Sequence, residues 1–179
     1  MQSNYSLTDT DINLLRYGFK TLSTDFQNIS CALFLSVLFD YKLHGFIYII
    51  TLSSLRRHSG GWHASKKIFC FLSYQTVFLI MIALQHIEWN IVILDILFLS
   101  AELYCVIQSP IEHIYNPLSI SERSLNKIKL KRNIIIIDFL YLILHILNRH
   151  SLLFVICFAS NWNMICMIML KHSPMWRKV

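Results

Sequence analysis

A histidine and a cysteine seven residues apart, His63 and Cys70, lie at the edge of a long apolar segment. A cysteine nucleophile reacts as the thiolate, and a histidine can accept its proton and return it to a leaving amine. Backbone N–H groups around Gly60, Gly61 and Trp62 can stabilise an oxyanion, because glycine lets the backbone approach a substrate carbonyl closely. The residue types in this segment therefore favour nucleophilic catalysis.

The spacing of the two residues limits the geometry of such a pair. In one continuous α-helix, seven residues separate the side chains by about 10 Å along the axis, at about 1.5 Å per residue. A general base needs a separation of roughly 2.6–3.2 Å. If the pair is catalytic, the backbone must break or fold back between His63 and Cys70. The helix then begins near Lys66 with Cys70 in its first turns, where the helix dipole favours a thiolate.

Two other interpretations of the segment stay open from the residues alone. A histidine and a cysteine beside a membrane helix are also typical of interfacial packing. His58, His63 and Cys70 are three candidate metal ligands, but their spacing matches no standard zinc pattern and no second cysteine is near. The five cysteines are scattered among apolar segments, so no disulfide framework is expected. We expect neither a metal nor a cofactor.

The composition indicates a membrane protein. Of 179 residues, 55% are hydrophobic and 15% are charged, against about 25% charged in soluble domains. Apolar runs over 68–87, 91–107, 134–147 and 152–170 approach the roughly 20 residues that a membrane helix needs. The net charge of +6 lies in short segments between these runs. That distribution is typical of topogenic charge, so we expect a lipid bilayer as partner and no nucleic acid.

These patterns predict one all-α domain over 1–179, a polytopic membrane helical bundle. An amphipathic interfacial helix is expected over 1–23, about six membrane helices over 24–170, and a cytoplasmic tail over 171–179. The first hairpin, with arms at 26–39 and 43–55 around Asp40, is short. The basic run 127–132 is expected to end a second cytoplasmic loop, 109–132, and to bind anionic lipid.

The distribution of lysine and arginine predicts the orientation. With six helices and both termini in the cytoplasm, fourteen of the sixteen basic residues fall inside, as the positive-inside rule requires. Only Lys42 and Arg149 fall outside.

Two polar residues inside apolar runs have separate expectations. A carboxylate at a helix centre costs about 2.5–3.5 kcal/mol on insertion scales, so Asp95 is expected to pair with a neighbouring helix. Gln75, five residues beyond Cys70, is a candidate for orienting an imidazole or an oxyanion.

The segment from Arg56 to Ala64, with Cys70 seven residues after His63, closely resembles the signature of the accessory gene regulator protein B (AgrB) family. These are bacterial integral membrane cysteine endopeptidases that mature quorum-sensing peptides. The resemblance extends over nearly the whole chain and implies His63 as general base and Cys70 as nucleophile. It also implies that Arg57, Gly60 and Gly61 shape the loop. Trp62 departs from the family pattern, and it marks the interface or lines the peptide site.

The same resemblance implies the substrate, a short AgrD-like propeptide cleaved in its C-terminal part at the cytoplasmic face of a bacterial cell membrane. Cys70 would hold the N-terminal part as a thioester, and a cysteine or serine within the peptide would close a thiolactone or lactone ring. The resemblance also implies a homodimer. The alternative function is a non-catalytic membrane scaffold or exporter for a small peptide.

Overall fold

Residues 9–60, 67–112 and 118–173 are described by the computed structural model, and within these ranges the chain forms six α-helices and no strand. The helices are α1 (Asp9–Leu38), α2 (Lys42–Ser59), α3 (Lys67–Leu84), α4 (Ile91–Gln108), α5 (Ile120–Ile146) and α6 (His150–Lys171). The predicted all-α class is confirmed. Residues 1–8, 61–66, 113–117 and 174–179, which include the predicted site residues Gly61, Trp62 and His63, lie outside the described residues.

The centre of the bundle is α6, which packs against α2, α4 and α5. Its sides are largely buried, and even Ser160 and Asn163 are fully enclosed. The outer faces of the other helices expose large apolar side chains, among them Phe19 on α1, Leu99 on α4 and Ile135 on α5. Apolar surface of this extent is typical of a face in contact with lipid.

Two helices within the described ranges, α4 and α6, are long and apolar enough to cross a membrane. The apolar part of α3, Ile68–Leu84, is shorter. The six membrane spans expected from the sequence therefore stay a prediction.

The N-terminal region differs from the prediction. The expected interfacial helix over 1–23 and the first hairpin arm over 26–39 are joined in the single helix α1, Asp9–Leu38. Residues 23–26 contain neither glycine nor proline, so nothing there ends a helix. The predicted break relied on a change in hydrophobic pattern rather than on a stop signal, and it was wrong.

The turn between α1 and α2 lies where the sequence indicated it. Asp40 has a positive φ of 61°, a conformation that aspartate tolerates better than most residues. After the turn the two helices approach closely, because a Cβ on Gly45 would lie 2.4 Å from the Cβ of Ser36. The predicted hairpin around Asp40 is confirmed.

The second predicted loop is also shorter than expected, because α5 begins at Ile120. The Ser119 Oγ accepts a hydrogen bond from the Glu122 backbone N–H, and the Glu122 carboxylate accepts one from the Ser119 backbone N–H at 2.9 Å. This capping box starts the helix. The basic run 127–132 is therefore helical, and the prediction of a loop through 132 was wrong.

Candidate functional site

A cavity of about 490 Å³ is lined mainly by α1, α2, α3 and the segment that follows α4, with smaller contributions from α5 and α6. Asn28 of α1, Arg57 of α2 and Cys70 of α3 contribute to its wall. Pro110 and Glu112 line it from the segment after α4. Asn126 of α5 and Leu170 of α6 complete the contribution of the helices, so parts of the chain that are distant in sequence meet around one space.

Cys70 lies in the first turn of α3, which begins at Lys67 in the described chain. Its side chain is buried, with 9% of the residue exposed, and it borders the cavity. None of the five cysteines, all of which the structure describes, forms a disulfide. The position agrees with the prediction of a helix start just before Cys70.

Gly60 ends α2 and forms part of the cavity wall. Its φ of 78° and ψ of 176° belong to a region of backbone space that is essentially restricted to glycine. A Cβ at this position would lie 2.2 Å from the Ile111 carbonyl oxygen. The Ile111 N–H in turn donates to the Ser59 carbonyl at 2.9 Å. The end of α2 is thereby fixed against the segment that follows α4.

A buried polar chain ties the same end of α2 to the centre of the bundle. The Ser59 hydroxyl lies 3.2 Å from the Asn163 side-chain oxygen and 2.9 Å from the Gly60 carbonyl. The Asn163 amide donates to the Cys105 sulfur at 3.2 Å. These contacts join α2, α4 and α6 immediately before the segment that carries His63.

One side of the cavity is basic. His58 Nδ1 lies 3.3 Å from the Asn126 side-chain oxygen, and both residues line the cavity. Burial lowers the pKa of His58, although the bond to Asn126 acts in the opposite sense, and the nearby charges of Lys129, Arg57 and Arg132 lower it further. His58 therefore binds a proton less readily than an exposed histidine does.

An ion pair contributes to the cavity wall through Glu112. The buried Glu112 carboxylate accepts hydrogen bonds from the Arg123 guanidinium, including one of 2.8 Å from Nε. Because Arg123 belongs to the first turn of α5, the pair holds the loop after α4 against the start of that helix.

The structure brings together some of the predicted site residues. Arg57, Gly60 and Cys70 border the same cavity. Gly61, Trp62 and His63 lie outside the described residues, so the distance between His63 and Cys70 stays a prediction.

The two polar residues inside apolar runs have defined contacts. The Gln75 amide donates to the Asn28 carbonyl at 3.1 Å, which fixes α3 to α1, and Gln75 does not line the cavity. Asp95 accepts a hydrogen bond from the Tyr141 hydroxyl at 2.9 Å and lies 3.5 Å from His145. The expected pairing of Asp95 with a neighbouring helix is confirmed.

Two cavity residues, Asn28 and Tyr74, were missed by sequence reasoning. Tyr74 follows Cys70 by four residues, a spacing that places two side chains on one face of a helix. That signal was available from the sequence. Asn28 has no comparable signal, because it reaches the cavity from α1 through helix packing alone.

A protein-family model described as "Accessory gene regulator B" matches residues 1–170. A search of curated proteins gives no significant match. The same is true of a search of solved structures.

Proposed function

The chain belongs to the accessory gene regulator B family, whose role in the agr quorum-sensing system is propeptide processing, and from that premise we propose that it is a membrane-embedded cysteine endopeptidase. Its family and its apolar helices α4 and α6 mark it as a membrane protein. The substrate implied by the family is an AgrD propeptide. We propose that Cys70 attacks a peptide bond in the C-terminal part of that propeptide.

The observation that carries this proposal is the position of Cys70. A buried thiol in the first turn of a helix, at the wall of a cavity of about 490 Å³, has room beside it for a segment of peptide. The helix N-terminus favours the thiolate, and the cationic side chains of Arg56 and Arg57 line the same cavity. Positive charge near a cysteine promotes its reactive form.

His63 is the proposed general base. It takes the thiol proton from Cys70 and returns it to the nitrogen that leaves when the peptide bond breaks. Gly60 at the end of α2 and Cys70 near the start of α3 both border the cavity, and the connection between them in the sequence carries His63. Arg57, Gly60 and Gly61 are proposed to shape this connection, and Trp62 to line the peptide site.

Cleavage through Cys70 produces a thioester with the N-terminal part of the propeptide. A cysteine or serine within that part then attacks the thioester and closes a thiolactone or lactone ring. Exchange of one thioester for another has a free-energy change close to zero, whereas forming a thioester from an amide has an unfavourable one. Removal of the products must therefore drive the reaction. A site that excludes water protects the acyl-enzyme from hydrolysis.

The proposed arrangement in the bacterial cell membrane is multi-pass, with both termini and the active site on the cytoplasmic side. The distribution of lysine and arginine supports this orientation. We also propose a homodimer, on the family resemblance.

Co-expression with the propeptide tests the function directly. Cys70→Ala is expected to abolish cleavage and cyclisation, measured by mass spectrometry of the peptide products. Cys166→Ala is the matched control, because Cys166 is another buried cysteine that does not line the cavity. This control is expected to retain processing.

A second arm traps the intermediate. A propeptide whose ring-closing residue is replaced by alanine should accumulate as a covalent adduct on Cys70 that hydroxylamine releases. Undiminished processing by Cys70→Ala would overturn the endopeptidase proposal. Peptide export without any cleavage by the wild-type protein would instead favour the scaffold or exporter.

A further inference from the structure

Tyr74 shares its helix face and its cavity with Cys70. The two residues are four positions apart on α3, so their side chains lie one turn apart on the same side. Both are buried, with 9% of Cys70 and 8% of Tyr74 exposed. The Tyr74 hydroxyl is also within electrostatic range of Arg56 and Asp25, which line the cavity as well. The Tyr74 side chain therefore lies beside the charged part of the cavity wall.

The Tyr74 hydroxyl has no hydrogen-bond partner in the described part of the chain. A buried hydroxyl without a partner lowers the stability of the folded protein, because it has lost its hydrogen bonds to water and has formed none within the protein. The ring is held in place by an edge contact with Tyr48, whose centroid is 6.2 Å away. The Tyr74 hydroxyl is a hydrogen-bond donor held close to Cys70 at the cavity wall. It is therefore suited to a ligand that carries a hydrogen-bond acceptor.

A second buried polar group at the same cavity points to the chemistry of that ligand. The Asn28 Oδ1 atom also lacks a partner among the residues described, and 3% of Asn28 is exposed. Its backbone is anchored by the hydrogen bond from Gln75. The cavity thus offers an unfilled donor at Tyr74 and an unfilled acceptor at Asn28, which match the C=O and N–H groups of a peptide.

We propose that the Tyr74 hydroxyl donates a hydrogen bond to the carbonyl oxygen of the scissile peptide bond and stabilises the negative charge that develops there. This inference rests on the proposed function, because it requires Cys70 to be the nucleophile. Asn28 accepts a hydrogen bond from a neighbouring N–H group of the same peptide and aligns it.

The reaction step at this site is balanced. The Cys70 thiolate forms a C–S bond to the carbonyl carbon, and the π electron pair of the carbonyl moves onto its oxygen. Tyr74 keeps its proton and donates a hydrogen bond to that oxyanion. When the C=O bond re-forms, the C–N bond breaks and the amine leaves with the proton that His63 had accepted. The product is the Cys70 thioester.

The test compares two buried tyrosines whose rings touch. Tyr74→Phe removes the hydroxyl at the cavity and keeps the ring, while Tyr48→Phe removes an equally buried hydroxyl that also has no partner in the described chain and does not line the cavity. Loss of one oxyanion donor typically lowers kcat about 10²- to 10³-fold. We expect Tyr74→Phe to lower kcat for propeptide cleavage about 100-fold with KM nearly unchanged, and Tyr48→Phe to resemble the wild type.

A second measurement separates this role from others. The rate of Cys70 alkylation, in a variant with the other four cysteines replaced by alanine, should not change on Tyr74→Phe, because the hydroxyl acts on the substrate oxygen. A wild-type kcat for Tyr74→Phe, or equal losses in both tyrosine variants, would overturn the inference. A slower alkylation would overturn it as well, since Tyr74 would then act on the thiol.

Failure of the inference can be distinguished from failure of the proposed function. If Cys70→Ala abolishes processing while Tyr74→Phe processes normally, the endopeptidase proposal stands and the role of Tyr74 is wrong. If Cys70→Ala processes the propeptide, the endopeptidase proposal is wrong and the role of Tyr74 falls with it.

Discussion

Polar side chains meet in two regions of the molecule, and a buried tyrosine has a hydrogen-bonded hydroxyl in one of them and an unpaired hydroxyl in the other. Between α4 and α5, the Tyr141 hydroxyl donates to Asp95 at 2.9 Å, and its ring stacks on Phe98 at 4.0 Å. At the cavity, the Tyr74 hydroxyl has no partner among the described residues. The first arrangement holds two helices together, and the second leaves a donor available.

The difference indicates where a ligand binds. A polar group that is buried during folding usually acquires a partner, because an unmet donor costs free energy. The unmet donor at Tyr74 and the unmet acceptor at Asn28 belong to residues that border one cavity, unlike the unpaired hydroxyl of Tyr48, and these are the two groups that we propose bind the peptide. The paired cluster at Asp95 needs no such explanation.

The largest expected effect on stability and processing comes from a substitution of Gly60 in the cavity wall. Gly60→Ala should strain the backbone by about 1–3 kcal/mol and displace the Ile111 carbonyl, whose oxygen lies 2.2 Å from the added Cβ. We expect a lower unfolding temperature in detergent micelles and a larger loss in propeptide processing. Gly18→Ala is the control, because a Cβ there meets no atom within 4 Å. Its expected effect is a gain of about 0.5–1 kcal/mol in a helix interior.

Normal processing by Gly60→Ala would show that the wall need not keep its shape. That result would contradict the assignment of the cavity as the site of propeptide cleavage.

An intermediate effect is expected from the paired cluster. Tyr141→Phe removes a hydrogen bond to the Asp95 carboxylate, which is worth about 1–3 kcal/mol, so the free energy of unfolding should fall by that order. Processing should be unchanged. This is the reverse of Tyr74→Phe, which should cost activity and little stability. The measurement is unfolding and propeptide cleavage for both variants side by side, and equal stability losses would contradict the contrast between the two regions.

The smallest effect is expected outside both regions, at the start of α5. Ser119→Ala removes the N-cap and should cost about 1 kcal/mol. Hydrogen bonds from Ser119 lower the pKa of Glu122, so this stabilisation is present above the ordinary carboxyl pKa and is lost as pH falls through the lowered one. Thermal unfolding followed from about pH 6 to about pH 3 should show a weaker pH dependence in the variant than in the wild type. An unchanged pH profile would contradict the assigned role of the capping box.

Local signals account for the parts of the fold that were predicted correctly. The apolar run 91–107 agrees with α4, Ile91–Gln108, to within one residue. The Asn90 side-chain oxygen caps the start of this helix by accepting a hydrogen bond from the Val92 N–H, and Pro110 follows its end. The ends of α1 and α5 were misplaced for a different reason. A change from polar to apolar residues was taken as a boundary at 23 and at 132, although no glycine or proline stood at either position.

By itself, the sequence determined the membrane class, the family and the residue types that we propose for catalysis, because hydropathy, charge distribution and a short motif are local properties of the chain. The cavity was decided by tertiary structure alone. Asn28, Gly60, Cys70 and Ile111 meet there only because α1, α2, α3 and the segment after α4 pack in one particular register. The Tyr141 hydroxyl has a hydrogen-bond partner and the Tyr74 hydroxyl has none among the described residues. This difference depends on which side chains lie on the neighbouring helix, and no single segment of the sequence contains that information.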